Sequence, residues 1–384
     1  MPALTTPTPR RLPGRTAIVA VFVAAICVPG LGLALSRERA TVSESEMREL
    51  AAWPEWPTSR QTLVAWPAAL KTYLEDHFVG RERLIEWRTR LLWRGFGMAG
   101  FDTAIAGKNG WLFFADDGSR QDWVQTEPFT SDELETWRAT FERRRAFLAR
   151  RGIPYLFVLV PDKQMVYPEF MPDSLVRLRQ DYRADQLIAH LRRTMPDLDV
   201  LDLRGPLVAA KNSELLYHRF DTHWNDRGAL VGYQAIAERL ERWFPLLKPL
   251  TRADFDTDQA VNSGDKTTML GLVDPGKRAM PGLVLRRGAG YRIIAPPRPD
   301  PYGEDPILFI EHRDKTLPRA LVYRDSFGAR LIPYLSEHFS HVEYWWQNEL
   351  DYDEIERQRP DVVIQEFVAR HFYTFGPYPP DIPE

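Results

Sequence analysis

The sequence predicts an α/β fold, a parallel sheet flanked by helices, and three observations lead there. Strand-like and helix-like segments alternate from residue 131 to residue 367, the pattern that lays parallel strands side by side with crossover helices on both faces. The run Ile153 to Val160 (IPYLFVLV) is apolar throughout, as a strand covered on both faces must be. Ser326 follows directly on another such strand, and open α/β sheets place their ligands beyond the carboxyl ends of strands.

The elements follow in order. Thr16 to Leu35 carries no charged residue; at about 1.5 Å per residue a helix of that length crosses a hydrocarbon layer of about 30 Å. Arg10, Arg11 and Arg15 precede it, so residues 1–15 are expected in the cytoplasm, 16–36 across the membrane and the remainder outside. A removable signal peptide ending near Ala34-Leu35-Ser36 is the rival reading, and the uncleaved anchor is preferred. Cys27 follows Ala-Ile, a poor context for a lipid anchor. Residues 37–100, rich in charge and Trp, read as a juxtamembrane stalk with a helix over 68–93. From 101 to 372 the chain reads as one domain. Asn109-Gly110 predicts a turn feeding a buried strand. Thr130 and Glu133 are spaced as a capping box for a helix over 131–151, flanked by Phe129 and Leu134 as a hydrophobic staple. Helices follow over 181–194, 225–243, 327–338 and 352–358, with strands over 199–203, 320–323, 342–346 and 361–367. Residues 251–315, rich in Pro and Gly and without helical period, read as an irregular insertion bordering the site. Residues 373–384 form a tail.

Composition narrows the function. The chain of 384 residues is 44% hydrophobic and 27% charged, with a net charge of −3; these are globular values with no footprint for nucleic acid. Twelve Trp and fourteen Tyr suit either core packing or sugar-stacking surfaces, with core the commoner use. The single cysteine excludes an intrachain disulfide. The histidines show no metal-ligand spacing, so neither a metal nor another cofactor is expected. Gly271 to Lys277 imitates a phosphate loop, but Arg278 replaces its Ser/Thr and no strand precedes it. The basic run Arg143-Arg144-Arg145 shares a helix with Glu133, Glu135 and Glu142 and reads as a solvated face. A domain outside the cytoplasm has no access to cytosolic acetyl-CoA or ATP.

Two short strings carry chemistry. Asp221-Thr222-His223-Trp224 offers a carboxylate two residues from an imidazole, on the same side of an extended segment. Arg324-Asp325-Ser326-Phe327 offers a serine at a strand-to-helix turn. A serine hydroxyl becomes nucleophilic when an imidazole takes its proton and a carboxylate fixes the imidazole tautomer. Each string alone is as well read structurally: Asp221 or Asn225, and Asp325 or Ser326, as helix caps, His223 at the surface, Trp224 in the core.

The chain resembles the alginate O-acetyltransferase family of periplasmic SGNH-hydrolase-like proteins, of the AlgJ and AlgX type. The resemblance runs from about Glu44 to Phe372 and rests on ordered segments: GKNGWLFF from Gly107, Val160-Pro161-Asp162-Lys163, Tyr167-Pro168-Glu169, Tyr217 to Asn225 (YHRFDTHWN), Ser263-Gly264-Asp265, Arg324 to Gly328 (RDSFG), and Glu366 with Arg370. Ordinary SGNH hydrolases carry Gly-Asp-Ser first and Asp-x-x-His later; here the order is reversed, the spacing is Asp-x-His, and Arg324 replaces the glycine. The resemblance implies an SGNH-like fold and a triad of Ser326 as nucleophile, His223 as base and Asp221 as its orienting residue. It implies transfer of an acetyl group through Ser326 to a polysaccharide hydroxyl, with a membrane-bound O-acyltransferase as the donor partner. Backbone N–H groups at Ser326 and the following turn are candidates for the oxyanion hole. Arg324, Lys163, Arg370, Tyr217 and Trp224 are candidates for substrate contacts, with surface ion pairing the plainer reading of the charged ones. Absence of a C-terminal carbohydrate-binding module, together with the anchor, places the expectation nearer the AlgJ branch: a single-pass inner-membrane protein with a periplasmic catalytic domain. An acetylesterase using the same residues, or a polysaccharide-binding scaffold with a vestigial triad, are the alternatives.

Overall fold

The computed structural model describes residues 17–24, 27, 42–43, 48–78, 80–92, 104–260, 280–294 and 307–376. The chain divides near residue 96 into a smaller N-terminal unit and a larger one. Residues 17–24 are helical; most of the remaining expected span over 16–36 lies outside the described residues. Among the described residues no helix is long and apolar enough to cross a membrane.

In the N-terminal unit, β1 (Val42–Ser43) and β2 (Arg48–Glu49) pair antiparallel. Helix α1 (Arg60–Asp76) starts at a reciprocal cap between Ser59 and Thr62 and continues through Pro67. Gly80, at φ 87°, opens α2 (Arg81–Arg90). The single helix expected over 68–93 is therefore two. A left-handed residue ends helical propagation, and glycine takes that conformation without steric cost. Trp53 meets Tyr73 edge-on at 4.9 Å and Trp56 stacks on Trp66 at 5.6 Å.

The larger unit begins with the hairpin β3 (Ala104–Ala106) and β4 (Leu112–Phe114), turned at Asn109 (φ 54°) and Gly110 (φ 76°). Then come α3 (Ser119–Val124), α4 (Ser131–Ala149), β5 (Tyr155–Val160), α5 (Lys163–Val166), α6 (Arg183–Thr194), β6 (Asp199–Asp202), α7 (Arg204–Ala210) and α8 (Asp226–Leu240). After them lie β7 (Phe255–Ala260), β8 (Met280–Leu285), β9 (Tyr291–Ile294), β10 (Leu308–His312), β11 (Arg319–Arg324), α9 (Ile332–Leu335), β12 (His341–Trp346), α10 (Tyr352–Gln358), β13 (Val362–Val368) and α11 (His371–Thr374). The capping box at α4 forms as spaced, with Thr130 and Glu133 exchanging bonds, and Asn225 caps α8 through its side-chain oxygen.

A seven-stranded sheet in the order β6-β5-β13-β11-β12-β10-β9 is the centre of this unit. The pairs from β6 to β12 are parallel, whereas β10 and β9 run antiparallel at one edge. The sheet is thus mixed rather than wholly parallel. The described parts of 251–315 contain four strands: β7 and β8 pair with each other, and β9 and β10 extend the main sheet. Residues 261–279, which hold the phosphate-loop look-alike and Ser263-Gly264-Asp265, lie outside the described residues, as do 295–306.

Alternate residues of each central strand enter different cores. Leu156, Val158 and Val160 of β5 join Trp224, Leu230 and Tyr233 of the face covered by α8. Tyr155, Phe157 and Leu159 join Phe141, Phe147 and Leu187 under α4 and α6. Each such large side chain, fully buried, contributes about 1.5–3 kcal/mol, so the five parallel strands form a rigid platform. The helix expected over 327–338 is instead a 3-10 turn (Phe327–Arg330), the four-residue α9 and a second 3-10 turn. Pro333, which has no N–H to donate, sits in the first turn of α9, where no such donor is needed.

Candidate active site

Strand β11 is buried along most of its length and ends at Arg324. The next residue, Asp325, ties down the turn that follows. Its Oδ1 accepts from the Phe327 N–H at 2.8 Å and its Oδ2 from the Val368 N–H at 2.7 Å, while its own N–H donates to Glu366 Oε2 at 2.9 Å. Ser326 is thereby held in the helical region, φ −64° and ψ −29°, between two anchored neighbours. Gly328 allows the turn to settle this deeply: a Cβ there would lie 2.6 Å from Arg324 Cβ and 2.7 Å from Glu366 Oε2.

The second string is positioned from the opposite side. Tyr217 and Trp224 form an isolated bridge, and the loop between them projects from the base of α8. Tyr217 donates its hydroxyl to Pro161 O at 2.6 Å. Lys163 donates to the carbonyls of Asp221 at 2.6 Å and His218 at 3.0 Å. Trp224 Nε1–H donates to Phe327 O at 3.1 Å, joining this loop to the serine turn. The His223 ring lies 4.8 Å from the Phe327 ring.

These supports bring the three residues together. His223 Nδ1 lies 2.8 Å from Asp221 Oδ1, and His223 Nε2 lies 2.8 Å from Ser326 Oγ. The His223 backbone N–H also donates to Asp221 Oδ1, at 2.9 Å. Burial alone would raise the Asp221 carboxyl, but the hydrogen bonds and charge of His223 outweigh it and hold the group below the usual carboxylate range. An ionised Asp221 fixes the imidazole with its proton on Nδ1, leaving Nε2 to accept from the serine hydroxyl. His223 and Ser326 are each partly exposed, so the chain of three opens to solvent at its serine end.

The five candidates for substrate contacts are all buried, at 0–6% exposure. Lys163, Tyr217 and Trp224 hold the histidine loop as described. Arg370 donates to Asp162 Oδ1 at 2.8 Å and, through its backbone, to Asp162 Oδ2 at 2.9 Å. Arg324 donates to Asp325 O at 3.1 Å and lies over the Trp346 ring. Of the backbone donors expected for an oxyanion hole, the Phe327 N–H is taken by Asp325.

Sequence reading did not anticipate the polar layer beneath the serine. Glu366 is fully buried, and its burial, with the adjacent Asp325 charge, raises its carboxyl well above the usual range. His371 stands between Asp325 Oδ2 at 3.5 Å and Asp117 Oδ2 at 3.4 Å. No spacing rule links Asp117, Asp162, Asp325 and His371, because four different segments deliver them. Among the described residues no group of His, Cys, Asp and Glu is arranged to hold a metal.

Comparison with known proteins bears on the domain as a whole. Residues 104–286 match the family described as SGNH hydrolase-like domain, acetyltransferase AlgX. A Pseudomonas syringae pv. tomato protein named probable alginate O-acetylase AlgJ is 27% identical over 234 residues, 59% of this chain and 56% of that protein. Its namesake from Azotobacter vinelandii is 31% identical over 130 residues, 33% of this chain and 31% of that one. The chain therefore spans about half or less of the length of these relatives. Among solved structures, Bacillus cereus PatB1 superposes with a TM-score of 0.51 at 17% identity, covering 69% of this chain and 95% of that one, a likeness of fold. Over residues 104–286 this chain is therefore similar to the SGNH hydrolase-like domain of AlgX-type acetyltransferases, and over a longer stretch to a protein named probable alginate O-acetylase AlgJ.

Proposed function

We propose that this protein is an O-acetyltransferase that carries an acetyl group on Ser326 and passes it to hydroxyls of an exopolysaccharide, alginate being the substrate its relatives' names suggest. The observation that carries this reading is the hydrogen-bonded line Asp221–His223–Ser326, with 2.8 Å at each side-chain link. In the first half-reaction His223 Nε2 takes the Ser326 proton as Oγ attacks the donor carbonyl. The tetrahedral centre collapses, the donor's leaving group departs with that proton, and an acetyl-serine remains. In the second, a sugar hydroxyl gives its proton to His223 and attacks the acetyl carbonyl. The Ser326 Oγ leaves and recovers the proton, which closes the cycle. Asp221 keeps the imidazole in the one tautomer that serves both halves.

In this reading the donor arrives through a membrane-bound O-acyltransferase. Residues 16–36 act as a single-pass inner-membrane anchor, and the catalytic unit lies in the periplasm. The test is turnover of an acetyl-ester chromogen by the full chain, with and without alginate oligosaccharides. Ser326→Ala should lower the rate by about a thousand-fold or more, and an unchanged rate overturns the reading. Acetylated oligosaccharide marks a transferase. Ester cleavage with no acetylated sugar would make the protein an esterase instead.

A further inference from the structure

The mouth of the site carries an aromatic side chain that packing does not account for. In the larger unit, Trp111, Trp123, Trp137, Trp224 and Trp345 are at most 6% exposed and Trp243 is part-buried against the core, whereas Trp346 is 43% exposed. It is the last residue of β12, and its register partner on β11 is Arg324, the last residue of that strand. The Arg324 guanidinium lies over the Trp346 ring, 4.4 Å from the centroid. One face of the indole is therefore backed by a buried cation, and the exposed area is left to its other face and rim. Ser326 stands two residues beyond Arg324. Neighbouring strands lie about 4.8 Å apart and two residues span at most about 7 Å. The backbones of Trp346 and Ser326 are thus within about 12 Å of each other, close enough for one bound oligosaccharide to touch both.

The sheet order places the two on a common rim. Along the carboxyl ends of β5, β13, β11 and β12, the histidine loop is held over β5 by Pro161 and Lys163, Ser326 follows β11, and Trp346 closes β12. Side-chain alternation puts Trp346 on the sheet face of Val342 and Tyr344, which is also the face that packs Trp224 and Phe327. Single exposed apolar residues are ordinary. A rigid aromatic plate, fixed by a buried arginine at the edge of a polar-lined site, is what a ring with an apolar C–H face requires for stacking.

We propose that Trp346 is the stacking platform for a pyranose ring of the acceptor glycan, seated one strand away from the acetyl-bearing serine. This rests on the reading of Ser326 as an acetyl carrier, and the test separates the two. Calorimetric titration of the full chain with an alginate octasaccharide and with a neutral cello-oligosaccharide measures binding without chemistry. Trp346→Ala should weaken the bound oligosaccharide about 3- to 10-fold, the range of one aromatic contact, with Trp346→Phe between. In turnover the same Ala variant should raise the acceptor KM by a similar factor while hydrolysis of the small acetyl ester is unchanged, which also shows that the variant is folded. Equal affinity in wild type and Trp346→Ala overturns the proposal, as does failure of both oligosaccharides to bind the wild-type chain. A Ser326→Ala chain that still turns over overturns the acetyl-carrier reading and leaves the binding result to stand or fall by itself.

Discussion

At the scale of single residues, Asp221 does more than hold a tautomer. One carboxylate oxygen serves both the ring Nδ1 and the backbone N–H of His223, so the same atom fixes the ring's orientation and the loop that carries it. Asp221→Asn keeps shape and volume but offers the imidazole an amide in place of a negative charge. In the proposed mechanism it loses the preference for the Nδ1 proton and the stabilisation of the imidazolium formed in each half-reaction. The expected outcome is a fall in kcat on the order of 10⁴-fold, as when the orienting carboxylate of a serine triad is neutralised, with KM for the acetyl ester little changed. A variant that retains more than a tenth of wild-type kcat, with unaltered far-ultraviolet circular dichroism, would show that Asp221 only caps its loop.

At the scale of elements, the turn after β11 is the most demanding piece of the fold. Gly328 is required there for proximity, because Arg324 Cβ and Glu366 Oε2 occupy the space a methyl group would need. Glu366 is fully buried and held by the Asp325 N–H, so the turn itself must move. Gly328→Ala is expected to destabilise by about 1–3 kcal/mol, the usual cost of overpacking, and to lower turnover further than that loss explains, since Ser326 moves away from His223. Urea unfolding alongside ester hydrolysis measures both. Full activity at wild-type stability would mean that the turn has slack. Such close approaches leave no local trace in sequence, whereas other elements do. β5 was legible as an unbroken apolar run, and the caps of α4 and α8 from Thr130, Glu133 and Asn225, because each signal lies within a few residues. β9 was not: as an edge strand it exposes Arg292 and Ile293, so neither a buried run nor a clean alternation marks it. Asp221, His223 and Ser326 were legible as residue types, but their meeting, and the carboxylate layer of Asp325, Glu366 and Asp162 below them, depend on the pairing of β5, β13 and β11.

At the scale of the whole molecule, the larger unit contains two buried histidines, His218 and His338, whose protonation the fold resists. Burial is the main cause for both, and it lowers His218 and His338 from 6.5 to about 4. At His338 the nearby Arg287 and His312 add to the effect, and its Nε2 is paired with the Tyr233 hydroxyl, which in turn accepts from the Leu250 N–H at 2.8 Å. That hydroxyl therefore donates to a neutral His338. Above about pH 6.5 the histidine is neutral whether the chain is folded or unfolded, and it adds no pH dependence. As pH falls from 6.5 toward 4, the unfolded chain takes up a proton that the folded chain refuses, so stability declines across that window by about 1–2 kcal/mol per histidine at pH 5. The buried carboxyls of Asp122 and Glu366 are raised, chiefly by burial, and their sign is opposite: they bind protons more readily in the folded chain and gain stability as pH falls. The net curve mixes the two, so the informative measurement is a difference. His338→Gln can still accept the Tyr233 hydrogen bond but cannot titrate. Between pH 7 and pH 5 its Tm should change less unfavourably than that of the wild type by about 2–6 °C, from the few degrees per kcal/mol expected of a unit this size. Parallel melting curves for the two proteins across that range would place the acid sensitivity elsewhere in the fold.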